Sequence, residues 1–331
     1  MTRQIKKVLY VHHGSGQGGA PNSLLYLLNN LDRSLYEPIV ACGFKEPFAK
    51  DFFENAGYFP IELPIARFSH FTSGYWELYS LRGIRSIFTW LINYYKSRRV
   101  FKKHLIELSP DIVHLNSLSL APLAFVAKKM GFPVVLHIRE TAIKLHKFDI
   151  RWYWIRRIAN KYVDKIIYIC KYNQEKFTGE TSNSTVIYNP IPFEKFDKNI
   201  DGKKIRQELR IPLGAQVLFF PGGSSLWAKG IVPFLKAVSK FKDDQNKIVA
   251  LIPNINNNIK VNQIIKDLDI EDLIIRPPFT NLVENYFAAS DIVVTPFIAP
   301  HFSRAAIEAG AMAKPVIGSK IGGIEEVIIN G

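Results

Sequence analysis

Cysteine is nearly absent. Cys42 and Cys170 are the only two in 331 residues, and they lie far apart in no CxxC pair or Cys/His cluster, so neither a disulfide framework nor a zinc site is expected. Two half-buried thiols in a reducing cytosol remain the expectation. Long apolar runs are missing too: nowhere do about 18 consecutive apolar residues occur, so no segment should span a bilayer. The N-terminal MTRQIKKVLYVHH has too short an apolar run after its basic residues to serve as a secretory signal. Acidic residues are outnumbered, 29 Asp and Glu against 43 Lys and Arg, for a formal charge of +14. Something anionic is therefore an expected neighbour, whether nucleic acid, a phosphorylated ligand or a membrane surface.

What is present is enough apolar residue, 47%, to build substantial cores, and enough length for two domains. The charge is not shared between them. Residues 1–190 hold 26 basic and 14 acidic residues, a net of +12, whereas residues 191–331 hold 17 and 15, a net of +2. Two stretches carry the excess, Leu81 to Leu105 and Arg139 to Lys176. The first, LRGIRSIFTWLINYYKSRRVFKKHL, interleaves Arg82, Arg85, Lys96, Arg98, Arg99, Lys102 and Lys103 with Phe88, Trp90, Leu91, Tyr94 and Tyr95. Such a mixture suits an interfacial helix on anionic lipid. It equally suits a surface helix that packs its aromatic side on a sheet. No aromatic RNA-binding motif, zinc finger or helix-turn-helix pattern accompanies the basic patches. The expected partner is an anionic membrane or a phosphorylated lipid, and no nucleic acid.

Short β-branched runs alternate with helical segments, the pattern of parallel βαβ units. Strands are expected at KKVLYVHH, EPIVACG, YFPIEL, DIVHLNS, PVVLHIR, KIIYIC and STVIYN, then at QVLFFPG, NKIVALIPN, LIIRPP, DIVVTPF and KPVIGS. These make an α/β fold of two Rossmann-like doubly wound sheets, one in residues 1–190 and one in 191–331. Between them IYNPIPFEKFDKNIDGKK, rich in Pro, Lys and Asp, is the natural hinge. Two such sheets facing one another would frame a cleft at their carboxyl ends. The sequence stops at EEVIING, and the second sheet is expected to lack its closing elements, as in a truncated chain.

The first strand runs into HHGSGQGGAPNSLLYLLNNL, where Gly14, Gly16 and Gly19 fit GxGxxG between strand and helix. Glycines let backbone approach a phosphate while the helix N-terminus supplies free N–H groups; a tight turn without a ligand has the same look. A dinucleotide site would add an acid at the end of the second strand, but that strand ends Ala41-Cys42-Gly43, which weakens an NAD-dependent oxidoreductase reading. His12 and His13 adjoin the loop, as ligand contacts or as packed side chains. Asn116 lies near the end of DIVHLNS, facing a site or capping the next helix. Asp267-Leu268-Asp269 is formally a DxD but reads as a helix end and polar loop. In the second half, FFPGGSSLWAKG sets Lys229-Gly230 at a glycine turn opening a helix, where a lysine can neutralise a phosphate. DIVVTPFIAPHFSRAAIEAGAMAKPVIGSKIGGIEEVI puts Glu308 on a short helix beyond a strand, where a carboxylate can accept ribose hydroxyls.

Together the GG-A opening, the KG turn and the IEAGAMAKPVI…GGIEE run resemble a retaining glycosyltransferase of the GT-B fold, family 4, over essentially the whole chain. The resemblance implies that the first sheet binds the acceptor and the second a UDP- or GDP-linked sugar, with no metal and no other cofactor. It matches Lys229 to the lysine on the diphosphate, Glu308 to the second of a glutamate pair, which holds the ribose, and Gly18 and Gly19 to glycines that approach the donor phosphates. His137, in PVVLHIRE, matches a histidine facing the transferred sugar. The chain departs from the pattern where the first glutamate should stand, at Pro300, followed by His301. PHFSRAAIE resembles a branch with His and Arg in that loop, so His301, Ser303 and Arg304 are expected to contact the sugar or its phosphates. The arginine one residue after the turn's glycine is Ser224 here. A non-catalytic nucleotide-binding protein of the same fold is the alternative these departures suggest. The expected activity is sugar transfer to a glycan or lipid-linked acceptor near the inner face of a membrane, in polysaccharide or glycolipid synthesis.

Overall fold

The structure, a computed structural model, describes residues 4–16, 18–68, 81–144, 147–222, 226–243 and 248–329. It divides into two compact units, Met1–Pro190 and Ile191–Gly331. All twelve expected strands form; β2 keeps the expected length one residue earlier, and the others are shorter than their runs because flanking residues turn into loops.

In the first unit the chain runs β1 (Lys6–Val11), α1 (Gly19–Asn29), β2 (Tyr36–Cys42), α2 (Ala49–Glu54), β3 (Ile61–Glu62), α3 (Leu81–Leu108), β4 (Ile112–Leu115), α4 (Ala121–Lys129), β5 (Val134–Ile138), α5 (Ile150–Tyr162), β6 (Lys165–Tyr168), α6 (Lys171–Phe177) and β7 (Ser184–Val186). The strands make one parallel sheet in the order β3-β2-β1-β4-β5-β6-β7. Strand residues alternate between two apolar layers, as a sheet covered on both faces requires. Val8, Tyr10, Val40 and Cys42 pack with Leu24 and Leu28 of α1 and Phe53 of α2. Leu9, Val11, Val113, Leu115 and Leu136 pack on the other face with Phe101 and Leu105 of α3, α4, and Ile155 and Ile158 of α5. Both cysteines are fully buried, not half-buried as expected, because each lies at or just past the end of a strand covered by helices.

The second unit runs α7 (Gly202–Glu208), β8 (Gln216–Phe219), α8 (Ile231–Val238), β9 (Ile248–Leu251), α9 (Ile259–Asp267), β10 (Ile274–Ile275), α10 (Val283–Ala289), β11 (Ile292–Thr295), α11 (Arg304–Ala311) and β12 (Val316–Gly318). Its parallel sheet has the order β10-β9-β8-β11-β12. Val217, Phe219, Val249 and Leu251 pack with Phe287 of α10 and Ala309 of α11; Ala250 and Val294 pack on the opposite face with Ile231 and Leu235 of α8 and Val261 and Ile265 of α9. The stretch expected as a hinge is tied down at several points. Arg139 Nη1 donates to Asn189 Oδ1 at 2.7 Å, and Ile191 and Phe196 are buried in the second unit's core, because its few apolar residues find a sheet to cover.

A recurring device sets strand register. An aspartate just ahead of a strand accepts an N–H from the first or second residue of the neighbouring strand: Asp111 from Lys7 at 2.8 Å, Asp164 from Val134 at 2.8 Å, and Asp291 from Val217 at 2.7 Å. Each carboxylate satisfies a donor that the ladder leaves without a partner.

Helix α3 packs one side on the sheet, as a surface helix should, and leaves other apolar side chains exposed. Phe101 and Leu105 are fully buried, whereas Phe88 and Tyr95 stand 64% and 66% exposed. Phe101→Ala should therefore cost about 3–5 kcal/mol of stability, while Phe88→Ala should stay within about 0.5 kcal/mol. Urea unfolding of the two variants measures the contrast.

Candidate functional site

In a doubly wound sheet the loops after two neighbouring strands diverge where the strand order reverses, leaving a crevice at their carboxyl ends. The orders given above place these points between β1 and β4 in the first unit and between β8 and β11 in the second. The residues singled out in the sequence collect there, each set within its own unit.

In the second unit the loops after β8 and β11 are laced together by backbone. Gly230 has φ +80, and a Cβ on it would stand 1.7 Å from the Pro296 carbonyl oxygen; no side chain fits. Ile298 N–H donates to the Ala228 carbonyl at 3.0 Å. Gly322, at φ +63, lies so close to the Pro300–His301 backbone that a Cβ would come within 2.8 Å of the His301 nitrogen. These contacts fix Lys229, whose Nζ donates to the Gly222 carbonyl at 2.8 Å. They also fix His301, which stacks on Phe297 with centroids 4.7 Å apart. Ser303 caps α11, its Oγ accepting from Ala306 N–H at 3.3 Å, so its role in the backbone is visible alongside any contact with a ligand. One turn on, Glu308 takes a salt bridge from Arg304 at 3.3 Å.

The electrostatics follow from burial. Desolvation pushes the Lys229 ammonium down to about 8, with Glu308 acting the other way. Burial, then the nearby Lys229 charge, pushes His301 down to about 4, leaving it neutral. Burial raises the Glu308 carboxyl, opposed by Arg304, Lys195 and Lys229. A cation that is costly to keep in a dry loop, beside a neutral imidazole and a carboxylate, suits a ligand that carries phosphate at one end and hydroxyls at the other. Ser224 lies outside the described residues. The formal DxD is a helix end: α9 closes at Asp267, and Asp269 is paired with Lys242 on the surface.

In the first unit the glycines of the first loop divide by role. A Cβ on Gly16 would sit 2.1 Å from the Phe48 carbonyl oxygen, so that glycine serves packing. Gly18, at φ +102 with open space around it, precedes Gly19 at the start of α1 and leaves the helix N-terminus accessible. His137, near the end of β5, is buried, and among the described residues neither ring nitrogen has a hydrogen-bond partner. Its ring lies 5.5 Å from that of His114. Burial, reinforced by Arg139, pushes His114 down to about 3 and His137 well below the usual histidine range. His12 is likewise neutral, lowered to about 3 chiefly by burial; its Nε2 donates to the Ser15 carbonyl at 3.1 Å.

Asn116 does not cap a helix. Its Oδ1 accepts from Arg139 Nε at 2.9 Å, and the capping falls to Ser117, which accepts from Ser119 N–H at 3.0 Å. Arg139 and Glu140 were not singled out in the sequence, yet they organise the region. Glu140 accepts from Ser117 Oγ and from Leu118 N–H at 3.1 Å, and stands 3.4 Å from His13 Nε2. Two charged residues directly after a buried strand, in LHIRE, were the available signal.

Against this geometry, two family profiles match the chain. Glycosyltransferase Family 4 matches residues 17–195, more than half of it, and Glycosyl transferases group 1 matches residues 201–331. The chain belongs to Glycosyltransferase Family 4. An uncharacterised glycosyltransferase of Methanocaldococcus jannaschii is 26% identical over 262 residues, 77% of this chain and 67% of its own. Among solved structures, HepE of Anabaena, crystallised with UDP-glucose, superposes with a TM-score of 0.77 at 19% identity, covering 98% of this chain and 83% of that one. Sucrose-phosphate synthase of Thermosynechococcus elongatus gives 0.73 at 12% identity, with 98% and 84% covered. The architecture is thus that of GT-B glycosyltransferases, and the oxidoreductase alternative finds no support in a family member whose second strand ends in a buried cysteine.

The neutral histidines make stability depend on pH. In the unfolded chain they bind protons near pH 6.5, whereas His12 and His114 in the folded chain do so only near 3. Stability is unaffected above about pH 6.5 and falls below it, by up to about 1.4 kcal/mol per pH unit for each histidine. Urea midpoints measured between pH 6.5 and 5 should fall with acid, and His114→Gln should flatten that slope.

Proposed function

We propose that this glycosyltransferase moves a sugar from a UDP- or GDP-linked donor to a glycan or lipid-linked acceptor at a membrane, with retained anomeric configuration and without a metal or other cofactor. The observation that carries the reading is the grouping of Lys229 and His301, on loops locked at Gly230 and Gly322, with Arg304 and Glu308 on α11. HepE, of the same fold, was crystallised with UDP-glucose, which supports a nucleotide-sugar donor. Residues 191–331 would hold that donor and residues 1–190 the acceptor.

In this mechanism Glu308 accepts the ribose hydroxyls and Lys229 meets the diphosphate. His301, Ser303 and Arg304 take the place of the absent first glutamate toward the sugar and its phosphates. Gly18 and Gly19 offer backbone N–H groups suited to a phosphate. The acceptor oxygen bonds to the anomeric carbon as the bond from that carbon to the diphosphate oxygen breaks, and the acceptor proton passes to the departing diphosphate. Lys229 stabilises the charge that develops there. His137, neutral through burial and with neither buried ring nitrogen hydrogen-bonded among the described residues, would have to be uncovered to hydrogen-bond the reacting sugar, and does so without acting as a base.

Nucleotide release from a panel of UDP- and GDP-sugars tests the reading. Glu308→Ala and Lys229→Ala should each lower kcat/KM by about 100-fold or more without unfolding the protein; full activity in either overturns the assignment. Tight nucleotide binding with no turnover would instead favour the non-catalytic alternative.

Lys229 also predicts a pH profile. Because its ammonium loses its proton near pH 8, kcat/KM for the donor should decline on the alkaline side. Lys229→Arg, charged throughout, should remove that limb even where it lowers the plateau.

A further inference from the structure

Helix α3 carries two apolar stripes centred about 120° apart, and among the described residues only one of them is packed against the fold. At about 100° per residue, Trp90, Tyr94, Phe101 and Leu105 face the sheet and its neighbours, as their burial shows. Leu81, Ile84, Phe88, Leu91, Ile92 and Tyr95 fall within about 100° of arc in the other stripe, and all are exposed, Leu81 by 88% and Phe88 by 64%. Such a stripe on a helix about 42 Å long is costly to leave in water and marks a surface that meets something.

Helix α5 extends the feature. Trp154, itself exposed, packs its ring 6.1 Å from that of Trp90 and 5.0 Å from that of Phe68, and Ile150 and Tyr153 of the same helix are exposed as well. Cations accompany both helices: Arg85, Lys96, Arg99 and Lys103 on α3 and Arg157 and Lys161 on α5 are exposed. The sequence of α3 holds seven Lys or Arg and a single acid, Glu107.

We propose that the outer face of α3, with the exposed residues of α5, docks the protein on an anionic lipid bilayer. Charge selects this occupant over a second copy of the chain, which would bring the exposed Arg85, Lys96, Arg99 and Lys103 against their like. Shape selects it over a folded partner, because a long convex apolar ridge needs a matching groove in a protein but none in a fluid interface. Apolar side chains would enter the acyl boundary while the cations meet lipid headgroups. The inference rests on the acceptor reading above only for its purpose, that of bringing the enzyme to a membrane-borne acceptor.

The full chain is sedimented with vesicles of phosphatidylcholine alone and of phosphatidylcholine with about one-third phosphatidylglycerol. Binding is expected to the mixed vesicles, weakened by salt. Phe88→Ser combined with Tyr95→Ser should weaken it by about tenfold or more. Arg85→Ala combined with Arg99→Ala should weaken it by about fivefold per cation. Nucleotide release in free solution should be unchanged in all these variants. Failure to bind either vesicle, or binding that survives both double substitutions, overturns the proposal. A dimer seen by sedimentation that dissociates in the Phe88→Ser/Tyr95→Ser protein overturns it in favour of self-association. A large drop in melting temperature in that protein overturns it too, since the stripe would then be covered by the chain itself. Loss of donor turnover in the unaltered protein, with vesicle binding intact, would refute the transferase reading and leave the docking surface standing.

Discussion

Strand order is the constraint on which the sites depend. A parallel sheet delivers every strand's carboxyl end to one edge, and the reversal between β1 and β4, or between β8 and β11, opens a gap that no connecting loop crosses. In the second unit the chain fills the rim of that gap with backbone packed too tightly for side chains, at Gly230 against Pro296 and Gly322 against His301. Stiff loops then carry the polar groups, which lose little conformational freedom when a ligand arrives. The first unit reaches stiffness by another route, a network of buried amide, guanidinium and carboxylate groups around Arg139 and Glu140.

Burial also decides the chemistry available. Histidine in water is half protonated near neutral pH, but four of these histidines are held neutral by desolvation. As neutral rings each offers one donor and one acceptor, suited to sugar hydroxyls rather than to phosphate.

Much of this was legible in the sequence. Every strand announced itself by a β-branched run, and the two units by the alternation of those runs with helices. Lys229 and Glu308 stood out because each interrupts a glycine- or alanine-rich segment, whereas His301 came only from the resemblance of its loop to a branch of the family. Arg139 and Glu140 were hidden because adjacent charges after a strand look like an ordinary surface turn, and only the fold brings Asn116 and Asn189 to them. The roles of individual glycines were equally hidden: Gly16 and Gly18 are chemically identical, and only the position of Phe48 distinguishes the one that packs from the one that stays open. Helix α3 could not be assigned a single face in advance because aromatic residues occur on both.

The aspartates that precede β4, β6 and β11 have a kinetic meaning as well. They reach partners 104, 30 and 74 residues away along the chain, so none of these clasps can close until strands distant in sequence are already side by side. They give no guidance to the search for the fold. Their action is that of a latch: it slows the opening of a sheet already assembled and gives no help to one still forming.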